Sequence, residues 1–220
     1  MRRALSLGAI AGPILFTAGW AILGLVSPGY TIWDLHVAPY SAVSQPISGL
    51  GLGVTGPFMN ATFVLSGLLL LAGIVGIVAS IPELGARARW GSAALLALSP
   101  LGCMADGIFT LESFFPHFLA YLVAVGSTVV SFFVFGLLIR RLPRWRGMGN
   151  ALLVASPLTL VLLVVAQVTF DPTAAGANMG IAGLTERIVV TEVFGWFVAL
   201  GYSALGFSDA ADSESLRAAA

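Results

Sequence analysis

Residues 57–81 read PFMNATFVLSGLLLLAGIVGIVASI, a run that contains no charged side chain. About 20 apolar residues in a helix are enough to cross the hydrocarbon core of a bilayer, which is roughly 30 Å thick. Five further runs of the same character lie at about 4–26, 90–109, 115–139, 149–170 and 186–207. The six runs predict an all-α integral membrane protein with one six-helix transmembrane domain over residues 1–207.

The composition supports the same class and limits the partners. Of the 220 residues 58% are hydrophobic and 9% are charged, and the mean hydropathy is +0.99, which is typical of an integral membrane protein. The formal net charge is zero and there is no basic tract, so a nucleic-acid partner is excluded. The expected partners are membrane lipids, a small anionic ligand or another membrane protein.

The arginines predict the orientation in the membrane. They flank the spans at one end, where they lie at 2, 3, 87, 89, 140, 141, 144, 146 and 217. The positive-inside rule assigns this end to the cytoplasm, together with both termini. We expect a multi-pass protein of a plasma membrane, and the use of arginine as the sole basic residue, together with the many alanines, indicates a prokaryotic source. Arg187 alone falls at the opposite end, which indicates a specific task for it.

Two segments outside the spans differ in character. The long outer loop at 27–56 contains YSAVSQPISGLG at 40–51, which predicts a short interfacial helix near 44–50 with Ser44 as its N-cap. In such a helix Val43, Ile47 and Leu50 share an apolar face, while Gln45 and the serines face a polar pocket. Residues 208–220 are small and polar and predict a disordered cytoplasmic tail.

An internal repeat predicts how the spans are organised. Related octapeptides occur in three of the runs: GAIAGPIL at 8–15, ALLALSPL at 94–101 and ALLVASPL at 151–158. The repeat favours three helical hairpins. The prolines of the repeat, at 13, 100 and 157, each leave one carbonyl without its helical partner. We therefore expect all three to face the bundle interior.

The other three runs each begin with a strong hydrogen-bonding side chain. Asn60, His117 and Arg187 lie in the first turn of helices that enter from the outside. If the hairpins surround a common axis, these residues converge in a polar pocket on the extracytoplasmic side. Together with Asp106 and the polar face of the 44–50 helix they form the predicted ligand-binding set: Gln45, Ser48, Asn60, Asp106, His117 and Arg187.

Asp106 and His117 are the candidate catalytic residues. A lone carboxylate inside a span is costly, so Asp106 is expected to be paired, protonated or exposed to water. An Asp–His pair suits a general base, a proton-linked switch or two metal ligands. The alternative is that Asp106 only caps the turn. A metal site would also need His36, so that its candidate ligands are His36, His117 and Asp106.

Several of these stretches also resemble a known family. They are GPILFTAGW (12–20), SQPISGLG (44–51), GPFMNATFVLSGLLLL (56–71) and GLTERI (183–188), together with Asp106 and His117. The set resembles the bacterial and archaeal membrane proteins grouped as domain of unknown function 998. The resemblance covers nearly the whole chain and implies a six-helix membrane protein without an assigned activity.

Three functions remain open from the sequence. The first is a protein that binds a lipid or small anionic ligand in the outer pocket. The second is a membrane-embedded hydrolase that uses Asp106 and His117, with or without a metal. The third is an accessory or assembly subunit of a membrane complex. Whether the chain is an enzyme, and whether it needs a cofactor, is not determined by the sequence.

Overall fold

The structure is a computed structural model that describes the backbone of residues 2–218 and the side chains of residues 2–206. The predicted tail, 208–220, lies outside the residues described in full, so its disorder stays a prediction. The long helices form because apolar residues fill whole turns, and because backbone groups in a bilayer must bond within their own segment. The helices are α1 (Arg2–Ser6), α2 (Gly8–Val26), α3 (Gly56–Ala79), α4 (Ala86–Ile108), α5 (Phe114–Tyr121), α6 (Ser127–Ile139), α7 (Arg146–Thr169), α8 (Pro172–Gly176) and α9 (Ala182–Ala218).

Among the described residues, six segments are long and apolar enough to cross a membrane. They are Arg2–Val26, Gly53–Ala79, Ala86–Ile108, Phe114–Ile139, Pro143–Thr169 and Ala182–Gly206. Each overlaps most of its predicted run, which confirms the all-α fold with six candidate membrane-spanning helices. Below they are called the first to sixth spans. The hairpin grouping and the cytoplasmic termini stay predictions.

The six spans form a closed bundle in which the last span packs against the first. Each span packs against the next one along the chain, and α9 of the sixth span also packs against α2 of the first. The core between them is aromatic and aliphatic. Phe132 and Phe197 are fully buried and meet edge to face with ring centroids 5.4 Å apart. Packing of this kind leaves a space between the spans near one end of the bundle.

The fourth span is interrupted by a π-helical stretch, Leu122–Gly126, between α5 and α6. Wide turns of this kind occur often at functional sites. The neighbouring third span approaches closely because Gly102 has no side chain. A Cβ on Gly102 would lie 2.7 Å from the carbonyl oxygen of Ala120. The third and fourth spans therefore approach closely at Gly102 and Ala120.

The repeat prolines do not all face inward. Pro13 and Pro100 are buried, whereas Pro157 is exposed, so the prediction was wrong for the fifth span. There Ser156 takes the inward position and donates from its hydroxyl to the carbonyl of Val129, 2.7 Å away. The next residue lies about 100° further round the helix, which turns Pro157 outward.

A β-hairpin that the sequence analysis did not predict follows the first span. Strand β1 (Tyr30–Ile32) pairs antiparallel with β2 (Leu35–Val37), and Thr31 lies opposite His36. Trp33, in the turn, has a φ of 50° and is exposed. The end of the bundle that carries this hairpin is called the loop end below. Its extracytoplasmic location stays a prediction.

The predicted helix near 44–50 is shorter than expected. It is a 3₁₀ helix over Ile47–Gly51 that follows Pro46, and Ser44 does not cap it. Proline disfavours a helical conformation in the preceding residue, so Gln45 cannot continue a helix that begins at Ser44. The predicted apolar face also divides, because Val43 is exposed while Ile47 and Leu50 are buried.

Candidate functional site

Asp106 and His117 lie together at the loop end. Asp106 is in the last turn of α4 and His117 is in the first turn of α5. Their side chains are buried, and Asp106 Oδ1 lies 3.5 Å from His117 Nδ1. The short connection between α4 and α5 brings the two side chains near each other, but they do not hydrogen-bond to each other.

The imidazole of His117 is oriented by backbone and not by the carboxylate. Nδ1 lies 2.7 Å from the carbonyl oxygen of Phe109. A carbonyl only accepts, so Nδ1 carries a proton and donates it there. In the neutral ring the lone pair is then on Nε2, which is the nitrogen able to accept a proton from another molecule.

One oxygen of Asp106 has no hydrogen-bond partner among the described residues. The side chain is 5% exposed, and Oδ1 is the unpartnered atom. Ser99, Cys103 and Asp106 share one face of α4 and line the same cavity. An unsatisfied buried acceptor is costly, by about 1–3 kcal/mol. Native structures keep such atoms for a reason, which is often a missing ligand or water.

Glu186 brings a second carboxylate to this place. It lies in the second turn of α9, and its Oε2 accepts a hydrogen bond of 2.8 Å from the backbone N–H of Ile47. The sequence analysis did not include Glu186 among the site residues. The sequence offered one indication of its role, which is its position beside Arg187. Adjacent residues on a helix point in different directions, so an arginine that faces the loop leaves its neighbour to face another side.

Two adjoining cavities, both partly open to the surroundings, lie beside these groups. The inner cavity comprises about 480 Å³ of space, including its open part, and is lined by Ile47 and by residues of the spans. The side cavity comprises about 640 Å³, again including its open part, next to the fourth, fifth and sixth spans. Four residues line both and form the shared wall: Ser48, His117, Tyr121 and Glu186. Of the predicted ligand-binding residues, Ser48 and His117 thus lie in the shared wall, and Asp106 lines the inner cavity.

Tyr121 is a further residue that the sequence analysis missed. It ends α5, directly before the π-helical stretch. Its buried hydroxyl forms no well-aligned hydrogen bond with the described residues, although Gln167 lies near enough to interact with it. The shared wall thus contains a phenol hydroxyl that lies beside Gln167.

Arg187 is used by the backbone of the loop end. Its Nη1 donates to the carbonyl oxygens of Ala42, Gln45 and Gly183 over 2.8, 2.9 and 2.8 Å. Its Nη2 donates to the hydroxyl of Tyr40, which in turn donates to the carbonyl of Pro46. Burial raises the pKa of Tyr40 above its ordinary range, so this phenol keeps its proton. Arg187 therefore holds the 40–51 segment in place.

Gln45 and Asn60 also contact the loop-end chain. The Gln45 amide donates to Asn178 and accepts from the backbone N–H of Ser41. Asn60 Nδ2 donates to the carbonyl of Gly51 over 3.1 Å. The structure begins α3 at Gly56 and α9 at Ala182, so Asn60 and Arg187 lie in the second turn of their helices and not in the first. Asn60, His117 and Arg187 nevertheless share a pattern, because each donates to a carbonyl of a loop-end segment. They do not all converge in one pocket.

The candidate metal ligands are not assembled around one point. His36 is exposed on β2, and its Nδ1 lies 3.1 Å from the hydroxyl of Thr31. Within the part of the chain that the structure describes, no three His, Cys, Asp or Glu side chains lie close enough together to hold one ion.

Both carboxylate oxygens of Glu192 accept hydrogen bonds within the bundle. Its Oε2 accepts from the Thr159 hydroxyl over 2.8 Å, and its Oε1 accepts from the Trp196 indole over 2.6 Å. This carboxylate joins the fifth and sixth spans and lies away from the two cavities.

Six apolar helices and a cavity that gathers Asp106, His117 and Glu186 define a multi-pass membrane protein with polar groups buried at one end. The family described as "Protein of unknown function (DUF998)" matches residues 10–203, and the chain belongs to this family. No curated protein and no solved structure matches the chain.

Proposed function

We propose that this protein binds a small amphiphilic molecule, a lipid or a lipid-like compound, in the inner cavity on the extracytoplasmic side of the membrane. The observation that carries the proposal is the unpartnered Oδ1 of Asp106, which is buried and lines that cavity. A ligand that donates a hydrogen bond would satisfy it. The apolar remainder of the cavity wall suits the body of such a ligand.

The 40–51 segment covers the inner cavity in this proposal. Ile47 and Ser48 line the cavity. The segment is anchored by Arg187 and by the hydrogen bond from Ile47 to Glu186. Gln45, Asn60 and Arg187, which the sequence suggested as ligand contacts, support the cover in this proposal. Ser48, Asp106 and His117 are the ligand contacts, and Glu186 and Tyr121 join them.

The same geometry argues against two other functions. The predicted binding of an anionic ligand depended on Arg187, whose Nη1 already donates to three carbonyls. A hydrolase that uses Asp106 to orient His117 needs the carboxylate to accept from Nδ1. That proton is donated to Phe109 instead, so we do not propose the hydrolase.

The proposal can be tested by filling the cavity. Ser99→Leu adds bulk to the inner cavity about two helical turns from Asp106. Gly91→Leu is the matched control on the same helix, because a Cβ there meets open space. The full chain is purified in mild detergent and bound small molecules are read by native mass spectrometry. We expect an adduct on the wild type and on Gly91→Leu, and its loss from Ser99→Leu.

Thermal unfolding of each variant shows whether the fold is intact. If a folded Ser99→Leu keeps the same adduct, or if the wild type carries no adduct and binds no added amphiphile, the proposal is wrong.

A further inference from the structure

We infer that the ligand is an amphiphilic amine, with a protonated N–H head group at the shared wall and an apolar tail that enters from the lipid through the side cavity. The inference rests on the proposed function and names its ligand class. It follows from three features: the acceptors at the wall, the charges around it and the course of the side cavity.

The first feature is an excess of acceptors. Asp106 Oδ1 has no donor among the described residues, and Glu186 accepts the hydrogen bond from Ile47 at its Oε2. The Nδ1 proton of His117 is occupied by Phe109. Two carboxyl groups therefore face a space whose nearby donors include the uncharged hydroxyls of Ser48 and Tyr121. An ammonium group carries several N–H donors and a charge, and its hydrogen bonds to carboxylates are among the strong ones.

The second feature is the sign of the charges. Two acids, Glu186 and Asp106, line the inner cavity, and one cation, Arg187, lies beside them; it acts electrostatically on Glu186 while its Nη1 donates to carbonyls of the 40–51 segment. A monocation is complementary to these groups. A phosphate or carboxylate at the same point would face two acids.

The third feature is the side cavity. It shares Ser48, His117, Tyr121 and Glu186 with the inner cavity, so the two spaces meet at the polar wall. Its other side is lined by Phe114, Phe118 and Phe170, which are 48%, 37% and 37% exposed. Phe114 and Phe118 belong to the fourth span and Phe170 follows directly on the fifth, so we expect their exposed rings to face lipid or its interface. The side cavity is therefore a lateral route from the membrane to the wall, and an alkyl chain fits its apolar lining.

The aromatic rings of the inner cavity suit the same head group. Phe16 meets Phe63 and Phe194 edge to face, with centroids 4.9 and 5.2 Å apart, and all three line the cavity. Ring faces attract cations. A quaternary ammonium would gain this attraction but cannot donate to Asp106 Oδ1. The inference therefore requires an amine that carries N–H.

The test compares head groups on one tail. The full chain is placed in nanodiscs of phosphatidylcholine, whose head group has no N–H, and dodecylamine, dodecyltrimethylammonium and dodecanol are titrated, with empty nanodiscs as the blank. We expect saturable binding of dodecylamine that is at least about tenfold tighter than that of the other two, which corresponds to one charge-assisted hydrogen bond.

Two isosteric variants locate the binding. Asp106→Asn and Glu186→Gln should each weaken dodecylamine binding by about tenfold or more. The amide that Glu186→Gln introduces still offers an oxygen to the N–H of Ile47, so the cover is expected to stay. Glu112→Gln is the matched control, since Glu112 is an exposed acid at the same end of the bundle, and it should bind dodecylamine as the wild type does.

Replacing part of the phosphatidylcholine by phosphatidylethanolamine distinguishes the source of the amine. Competition with dodecylamine assigns a lipid head group, and its absence assigns a free amine; both support the inference. Equal affinity for dodecanol and dodecylamine in the wild type, or an Asp106→Asn protein that binds dodecylamine normally, overturns the inference and leaves the proposed function standing. If no amphiphile binds saturably and no adduct co-purifies, the proposed function itself fails.

Discussion

Arg187 donates from Nη1 to the backbone carbonyl of Gln45 over 2.9 Å, and 142 positions of sequence separate the two residues. This bond ties the start of the sixth span to the cover of the inner cavity. The arginine that stands alone at the loop end is thus part of the framework, and the neighbouring Glu186 is the residue that lines the cavity.

Loss of the Arg187 side chain is expected to release the cover. Arg187→Gln leaves the carbonyls of Ala42 and Gln45 without their donor, and a buried carbonyl without a partner costs about 1–3 kcal/mol. We expect the free energy of unfolding to fall by roughly 3 kcal/mol. Limited proteolysis should cut within 40–51 in the variant first. An unchanged stability and an uncut segment would show that the bonds contribute nothing.

The close contact between α9 and the cover makes Gly183 intolerant of a side chain. A Cβ at Gly183 would collide with the carbonyl of Gln45 and lie 2.7 Å from that of Ala42. Gly183→Ala should therefore lower the melting temperature and displace the cover. A Cβ at Gly195, on the same helix, meets nothing within 4 Å. Gly195→Ala should therefore stabilise the protein by about 0.5–1 kcal/mol through helix propensity. Equal effects of the two variants would contradict the contact.

Asp106 is expected to lower the stability of the folded protein and to contribute to ligand binding. Because Oδ1 has no partner among the described residues, Asp106→Asn removes a costly buried acid, and the melting temperature should stay the same or rise by a few degrees. Ligand binding should fall in the same variant, a trade between stability and function that is common at sites. Scanning calorimetry without added ligand measures the first effect. A clear drop in stability would mean that the carboxylate is needed by the fold.

Alkaline pH should loosen the loop end through Tyr30. Burial, and secondly the nearby Glu186 carboxylate, raise the pKa of Tyr30 to about 12. In the unfolded chain the phenol ionises near pH 10. The stability that Tyr30 contributes is therefore complete below about pH 10 and is lost as the pH rises through about 12.

The free energy of unfolding, followed from about pH 9 to about pH 12, checks this sign. Tyr30→Phe should lose less stability over that range than the wild type does. Tyr202→Phe is the control, because Tyr202 is 62% exposed, and it should follow the wild-type curve. A Tyr30→Phe curve parallel to that of the wild type would refute the role of Tyr30.

The spans were predictable because their signal is local. A run such as 57–81 is apolar along its whole length, and no packing partner is needed to recognise it. The proximity of Asp106 and His117 was predictable for a related reason, since a short connection joins the helix ends that carry them. The π-helical stretch at Leu122–Gly126 was not predictable, because its apolar residues would suit a regular helix equally well.

What the sequence by itself determined is the number and extent of the spans, the membrane class, and the presence of a few polar groups near one end. Only the tertiary structure decided which of those groups face the cavity. Glu186 and Arg187 are neighbours in sequence, but one helical step of about 100° turns the acid toward the inner cavity and the cation toward the carbonyls of the 40–51 segment. That difference depends on how α9 is rotated against the other spans, which is set by packing across the whole bundle and not by any local pattern.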